Sequence, residues 1–255
     1  AAPLWPSETP RQTPPPPIRR VIAANELGQI IALDGFESKV YMFDGETGEI
    51  LSSRDIDLSS GGRWHVAGYN HNTHKLFLAT ENSKRRIDQA AKIDVTDNDD
   101  LVVKMPVGYS EPVGICYNIK LNETYITYDN NPSVHVIDFN ENREIDEIAI
   151  PAFGNDATAI DVQNDILYIA SWAKGEVEIV DLRARKFLRR ITDLGIIPHM
   201  FAMCFNPNNN KLYYPLGATA VNGCFGAAVT MLDPETEETE KIYTGWAPID
   251  LIEVK

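Results

Sequence analysis

Five short apolar stretches that each end in asparagine recur along this 255-residue chain at a nearly constant interval, and nothing else in the sequence constrains the fold as tightly. They are residues 19–25 (RRVIAAN), 64–70 (WHVAGYN), 112–118 (PVGICYN), 158–164 (TAIDVQN) and 200–206 (MFAMCFN). Their terminal residues Asn25, Asn70, Asn118, Asn164 and Asn206 are spaced by 45, 48, 46 and 42. A period of about 45 residues is that of a four-stranded propeller blade. A second marker alternates strictly with the first: an apolar strand that stops at aspartate, at Asp44, Asp94, Asp138, Asp181 and Asp233. Between the two markers lies a β-branched and aromatic segment each time (QIIALDG, KLFLATE, TYITYDN, ILYIAS, KLYYPLG), and after each Asp come a turn and a more polar strand. No apolar pattern of period 3.6 persists over ten residues, which sets helical architectures aside.

Each unit therefore reads as strands a, b, c and d of an antiparallel meander, and the chain is expected to be all-β: a β-propeller of four-stranded antiparallel blades with at least five repeat units. The third residue from the end of strand a is Ala23, Gly68, Cys116 and Cys204 in four units, with Val162 as the exception. Small side chains there suit strands that converge on an axis, so Cys116 and Cys204 read as core residues rather than ligands. The repeat Asp residues read as caps of the following turn.

The first and fifth units carry a resemblance. The segments SKVYMFDGETGEI and NKLYYPLG…AAVTMLDPETEETEKI resemble the YVTN-type β-propeller repeats of surface-layer proteins and of the propeller subunits of periplasmic amine dehydrogenases. The likeness spans about residues 19–255. It implies a propeller fold and an extracellular or periplasmic setting. For function it implies scaffold, adhesin or enzyme subunit alike, because a fold of this kind does not dictate an activity.

Residues 1–18 hold seven of the 16 prolines in positions 1–17 and are expected to form an extended arm, leaving residues 19–255 as the propeller domain. The Ala-Ala-Pro start and the absence of an apolar leader read as a processed product of secretion. The segment 246–255 (WAPIDLIEVK) resembles another first strand, so the ring has five blades with an extra strand, is completed by strand exchange, or is part of a larger propeller. A formal charge of −14 speaks against nucleic acid as a partner. No apolar run reaches the roughly 18 residues of a membrane span. Three cysteines are too few for a disulfide framework.

The residues leading into the inner strands are Arg63, Glu111, Ala157 and His199, with Asp156 one position further back and Trp246 at the start of the sixth stretch. They are expected at one mouth of the central channel. There, His199 as base or ligand with the carboxylates of Glu111 and Asp156 would make a catalytic or metal site, and the same polar residues would line any solvated mouth. No cofactor signature is present, and a divalent metal is the cofactor these residues admit. Partner contacts are expected at Arg63 and Trp246, at the basic loop Lys84, Arg85 and Arg86, and at Cys224 in a long loop of the fifth unit. His71 and His74 read as turn residues, and His135 as exposed or satisfied locally. The acidic run at residues 97–100 reads as a solvated turn.

The absence of a nucleophile elbow, phosphate loop, paired CxxC or HExxH sequence favours an extracytoplasmic scaffold or protein-binding module with a protein partner, alone or as a subunit of a larger complex. The alternative is an enzyme, either a lactonase-like hydrolase with a channel-mouth metal or the propeller subunit of a periplasmic redox complex.

Overall fold

A computed structural model describes residues 18–24, 28–34, 39–55, 63–70, 75–81, 89–94, 101–104, 112–138, 141, 143–151, 155–171, 174–194, 203–215 and 228–243. These form five four-stranded antiparallel sheets, each built from four consecutive strands. Sheet 1 is β1 (Ile18–Ala24), β2 (Gln29–Asp34), β3 (Lys39–Asp44) and β4 (Ile50–Asp55). Sheet 2 is β5 (Arg63–Asn70), β6 (Lys75–Glu81), β7 (Gln89–Asp94) and β8 (Leu101–Lys104). Sheet 3 is β9 (Pro112–Asn118), β10 (Glu123–Tyr128), β11 (Ser133–Asp138) and β12 (Arg143–Ala149). Sheet 4 is β13 (Asn155–Asp161), β14 (Ile166–Ser171), β15 (Glu176–Asp181) and β16 (Lys186–Ile191). Sheet 5 is β17 (Cys204–Asn206), β18 (Lys211–Pro215), β19 (Ala228–Leu232) and β20 (Thr239–Tyr243). The first strands lie side by side in chain order, β1 against β5, β5 against β9, β9 against β13 and β13 against β17, as the inner strands of propeller blades do.

The repeat markers are turn chemistry. Asn118 Oδ1 accepts the backbone N–H groups of Lys120 (2.9 Å) and Leu121 (3.3 Å), and Asn206 Oδ1 accepts that of Asn208 (2.9 Å). In the fourth unit the bonding residue is Asp161, whose Oδ1 takes the N–H groups of Gln163 (2.9 Å) and Asn164 (3.2 Å). The expected inner strand at residues 158–164 is therefore three residues out of register. The strand is Asn155–Asp161, and Val162, Gln163 and Asn164 belong to the turn. A carboxylate oxygen accepts turn amides as an amide oxygen does, so Asp fills the Asn position. With Asp161 as the marker, Ala159 takes the small-residue position and the exception at Val162 disappears.

Four residues after each of these markers the chain turns left-handed, at Asn122 (φ 55°), Asp165 (φ 58°) and Asn210 (φ 55°), and Asn and Asp are the side chains that tolerate that region best. The c–d turns repeat the device. Asp44, Asp138, Asp181 and Asp233 accept amides two or three residues on, as expected of caps. Gly48, Arg185 and Glu237 adopt the positive φ four residues after their Asp. Asp94 carries the same sequence signal, but its side chain lies outside the described residues.

Asp233 also takes the Lys211 ammonium, and that bond with the amides of Thr236 and Glu235 holds its carboxyl down at about 2. A depressed folded value gives stability that is complete above the unfolded value near 4 and is lost as pH falls toward 2. Asp233→Asn is expected to flatten the acid limb of the stability curve over that window and leave its slope above pH 5 unchanged, as read from urea midpoints measured between pH 7 and pH 2.5.

Packing alternates with the strand period of two. Tyr125, Val134, Val136 and Ile148 of sheet 3 face Leu167, Ile169, Val180 and Leu182 of sheet 4, all buried. Ile126, Tyr128 and Ile137 point the other way, onto Phe77 and Ala79 of sheet 2. Sheets 4 and 5 meet through Tyr168, Ile179, Phe205, Leu212 and Tyr214. The a–b turns of sheets 3 and 4 are latched by Asp165, which accepts Asn118 Nδ2 (3.0 Å), Lys120 Nζ (3.2 Å) and Arg183 (2.8 Å). Burial works to raise that carboxyl, but the bonds from Asn118 and Lys120 and the charges of Lys120 and Arg183 outweigh it and hold it below the usual carboxylate range.

Candidate functional site

The densest polar constellation among the described residues sits on the outer half of sheet 3. In β11 the residues Ser133, His135 and Ile137 share the face turned toward sheet 2, because the strand period is two and Ile137 packs in that interface. In β12, Glu144 lies opposite Ile137 and Glu147 opposite His135, with Ile145 as an extra, unpaired residue between them. Three residues apart in a regular strand, two side chains would point to opposite faces. The bulge at Ile145 brings both carboxylates to the face of His135, the re-aiming that β-bulges perform.

The resulting contacts are short. His135 Nδ1 lies 2.6 Å from Glu144 Oε1, and His135 Nε2 lies 3.0 Å from Asn131 Nδ2 and 3.3 Å from Ser133 Oγ. Ser133 Oγ lies 2.6 Å from both Glu147 Oε1 and Asn131 Oδ1. The Tyr128 ring meets the imidazole edge-on at 5.2 Å. Asn155, at the start of β13, donates its amide to the carbonyls of Tyr128 (3.1 Å) and Asn131 (3.2 Å), which fixes the loop that carries Asn131. His135 is fully buried, Glu144 half-buried and Glu147 exposed, so the constellation is closed at the imidazole and open to solvent at the carboxylates. Of the two expectations for His135, exposed or satisfied locally, the second is what is found: it is buried, and its partners are Ser133 of its own strand, Glu144 of β12 and Asn131 of the loop before β11.

Most of the mouth and loop residues expected from the sequence lie outside the described residues. Glu111, His199, Trp246, Lys84, Arg85, Arg86 and Cys224 lie outside the described residues, as do His71, His74, the acidic run at 97–100 and segment 246–255. Arg63 is placed by its backbone as the first residue of β5. Asp156 is the second residue of β13 and the unpaired residue of an inner-strand bulge, equivalent to His65 in β5 and Val113 in β9. The thiol of Cys116 lies 3.2 Å from Thr158 Oγ1 across the β9–β13 seam, and burial pushes it up to about 11, the behaviour of a core thiol rather than a reactive one. Cys204 is half-buried.

No protein-family model matches this chain, and no curated protein matches it in sequence. Among solved structures, hydrazine synthase from Kuenenia stuttgartiensis matches with a TM-score of 0.69, over 95% of this chain and 71% of that one, at 10% identity. At that identity the likeness speaks for the propeller-like all-β fold. No helix among the described residues is long and apolar enough to cross a membrane.

Proposed function

We propose that this chain closes as a β-propeller and works outside the cytoplasm as a rigid module that holds a protein partner on its outer rim. The observation that carries this reading is the composition of the outer strands. Ile50 and Leu51 in β4, Leu188 in β16 and Ile242 in β20 are 45–51% exposed, on strands whose other exposed residues are polar. Leu51 and Leu188 are moreover the unpaired residues of outer-strand bulges at the same register, where β12 has Ile145. A bulge that presents an apolar side chain to solvent at repeated positions makes a ladder of contact points on an edge that has no further strand. The extracytoplasmic setting comes from the resemblance to the YVTN-type repeats. The hydrolase and redox-subunit readings rest on Glu111, Asp156 and His199 or on a second chain, and no described side chain favours either.

Native mass spectrometry of the protein isolated from its source tests the reading. A complex of defined stoichiometry is expected, with affinity lowered at least about tenfold by the Leu51→Ser/Leu188→Ser double variant, since buried apolar anchors dominate interface energetics. The far-UV spectrum of that variant is expected to be unchanged, because both side chains stand in solvent. A monomer that turns over lactone, ester or sugar substrates, or a complex indifferent to both substitutions, would overturn it.

A further inference from the structure

We infer that His135, Glu144 and Glu147 form a binding site for a divalent transition-metal ion of the Zn2+ class, at the edge of the third sheet and independent of the outer-rim reading. The donor set comes first. One imidazole and two carboxylates supply three ligand atoms that all lie within 4.8 Å of one another. Tetrahedral Zn2+ with ligands near 2.05 Å places its donor atoms about 3.3 Å apart, so small side-chain rotations close these three on one ion. Nitrogen with carboxylate oxygen is a ligand mix that suits borderline ions of this class. The Ile145 bulge puts both carboxylates on the imidazole face, the loop held by Asn155 keeps Asn131 against the ring, and the exposed Glu147 leaves an entry path from solvent.

Ser133 and Asn131 stand beside the ligands as hydrogen-bond partners, Asn131 Nδ2 3.0 Å from His135 Nε2 and Ser133 Oγ 2.6 Å from Glu147 Oε1, the supporting arrangement that orients metal ligands.

The test titrates the full chain, stripped with a chelator, with Zn2+ by calorimetry, and with Co2+ by visible absorption, which reports ligand geometry directly. One ion per chain is expected, with Co2+ bands of a low-coordinate site. Glu147→Gln, at an exposed position that leaves the fold intact, and Glu144→Gln are each expected to weaken binding at least about tenfold, the scale seen when a metal site loses a ligand or its support. His135→Gln is expected to abolish it, and since that position is buried its folding is checked by thermal denaturation. Absence of Zn2+ binding overturns the proposal. So does Zn2+ binding that Glu144→Gln and Glu147→Gln leave unchanged, or a Co2+ spectrum identical to that of the aqueous ion.

Discussion

Gly114→Val is expected to destabilise the chain by about 3 kcal/mol or more, the upper end of what overpacking a core produces. For a domain of this size that is a fall in melting temperature of roughly 6–12 °C. Gly114 sits in β9 where it meets β13. A Cβ built there overlaps Thr158 Cγ2 and lies 2.6 Å from Thr127 Oγ1 and 2.8 Å from Thr158 Oγ1. Both neighbours are β-branched and stiff at χ1, on adjacent inner and second strands, so neither can swing away without moving its backbone. Gly68→Ala is the matched control. Its added Cβ meets only Ile115 O at 3.6 Å and Ile115 Cγ2 at 3.7 Å, ordinary contacts, and its stability is expected within about 1 kcal/mol of the parent. Thermal and urea denaturation read both. Equal losses in the two variants would mean that the seam between the inner strands is looser than its geometry.

That contrast also shows how far the sequence could be read. The small side chains recurring two residues before each strand end suggest crowding at the axis, yet Gly68 at that position has room and Gly114, two residues earlier in its own strand, has none. Crowding belongs to a pair of facing strands, and the facing residue, Thr158, lies 44 positions away in the chain. The turns were legible because each is specified within six residues by an Asx oxygen at its start and a left-handed residue at its end. The one misplaced strand followed the letter Asn at Asn164 rather than the oxygen chemistry that Asp161 supplies three residues earlier. The His135 constellation was not legible at all. It depends on a bulge that no residue type announces. The same position in β15 is Glu178, and in β19 it is Thr230, both buried, so three of the five units cover a polar residue there, where sheet 1 has Tyr41 and sheet 2 has Ala91.

Arg190→Met is expected to be the most damaging polar substitution, with about 3–5 kcal/mol lost at pH 7, because it leaves a buried carboxylate without its counter-charge. Glu178 is fully buried between sheets 3 and 4, its Oε1 taking Arg190 at 2.8 Å while Oε2 has no hydrogen-bond partner among the described residues. Glu176 meets the same guanidinium at 3.3 Å. Burial already raises the Glu178 carboxyl above its usual range, with the Arg190 bond and charge opposing that rise. A raised folded value means that the folded chain holds a proton the unfolded chain has released, so this group lowers stability as pH climbs from the unfolded value through the folded one. Removing Arg190 widens that window. The loss is therefore expected to shrink as pH is lowered into the ordinary carboxylate range, the reverse of the acid lability that Asp165 and Asp233 give the parent chain. Urea midpoints of parent and variant, compared at each pH, separate the two signs, because the aspartate contribution is common to both proteins and cancels in the difference. Glu178→Gln added to Arg190→Met removes the stranded charge and is expected to recover most of the loss at pH 7. A single variant whose deficit does not change with pH, or a double variant no better than the single one, would place the damage in lost packing of the arginine stem instead of in the carboxylate it neutralises.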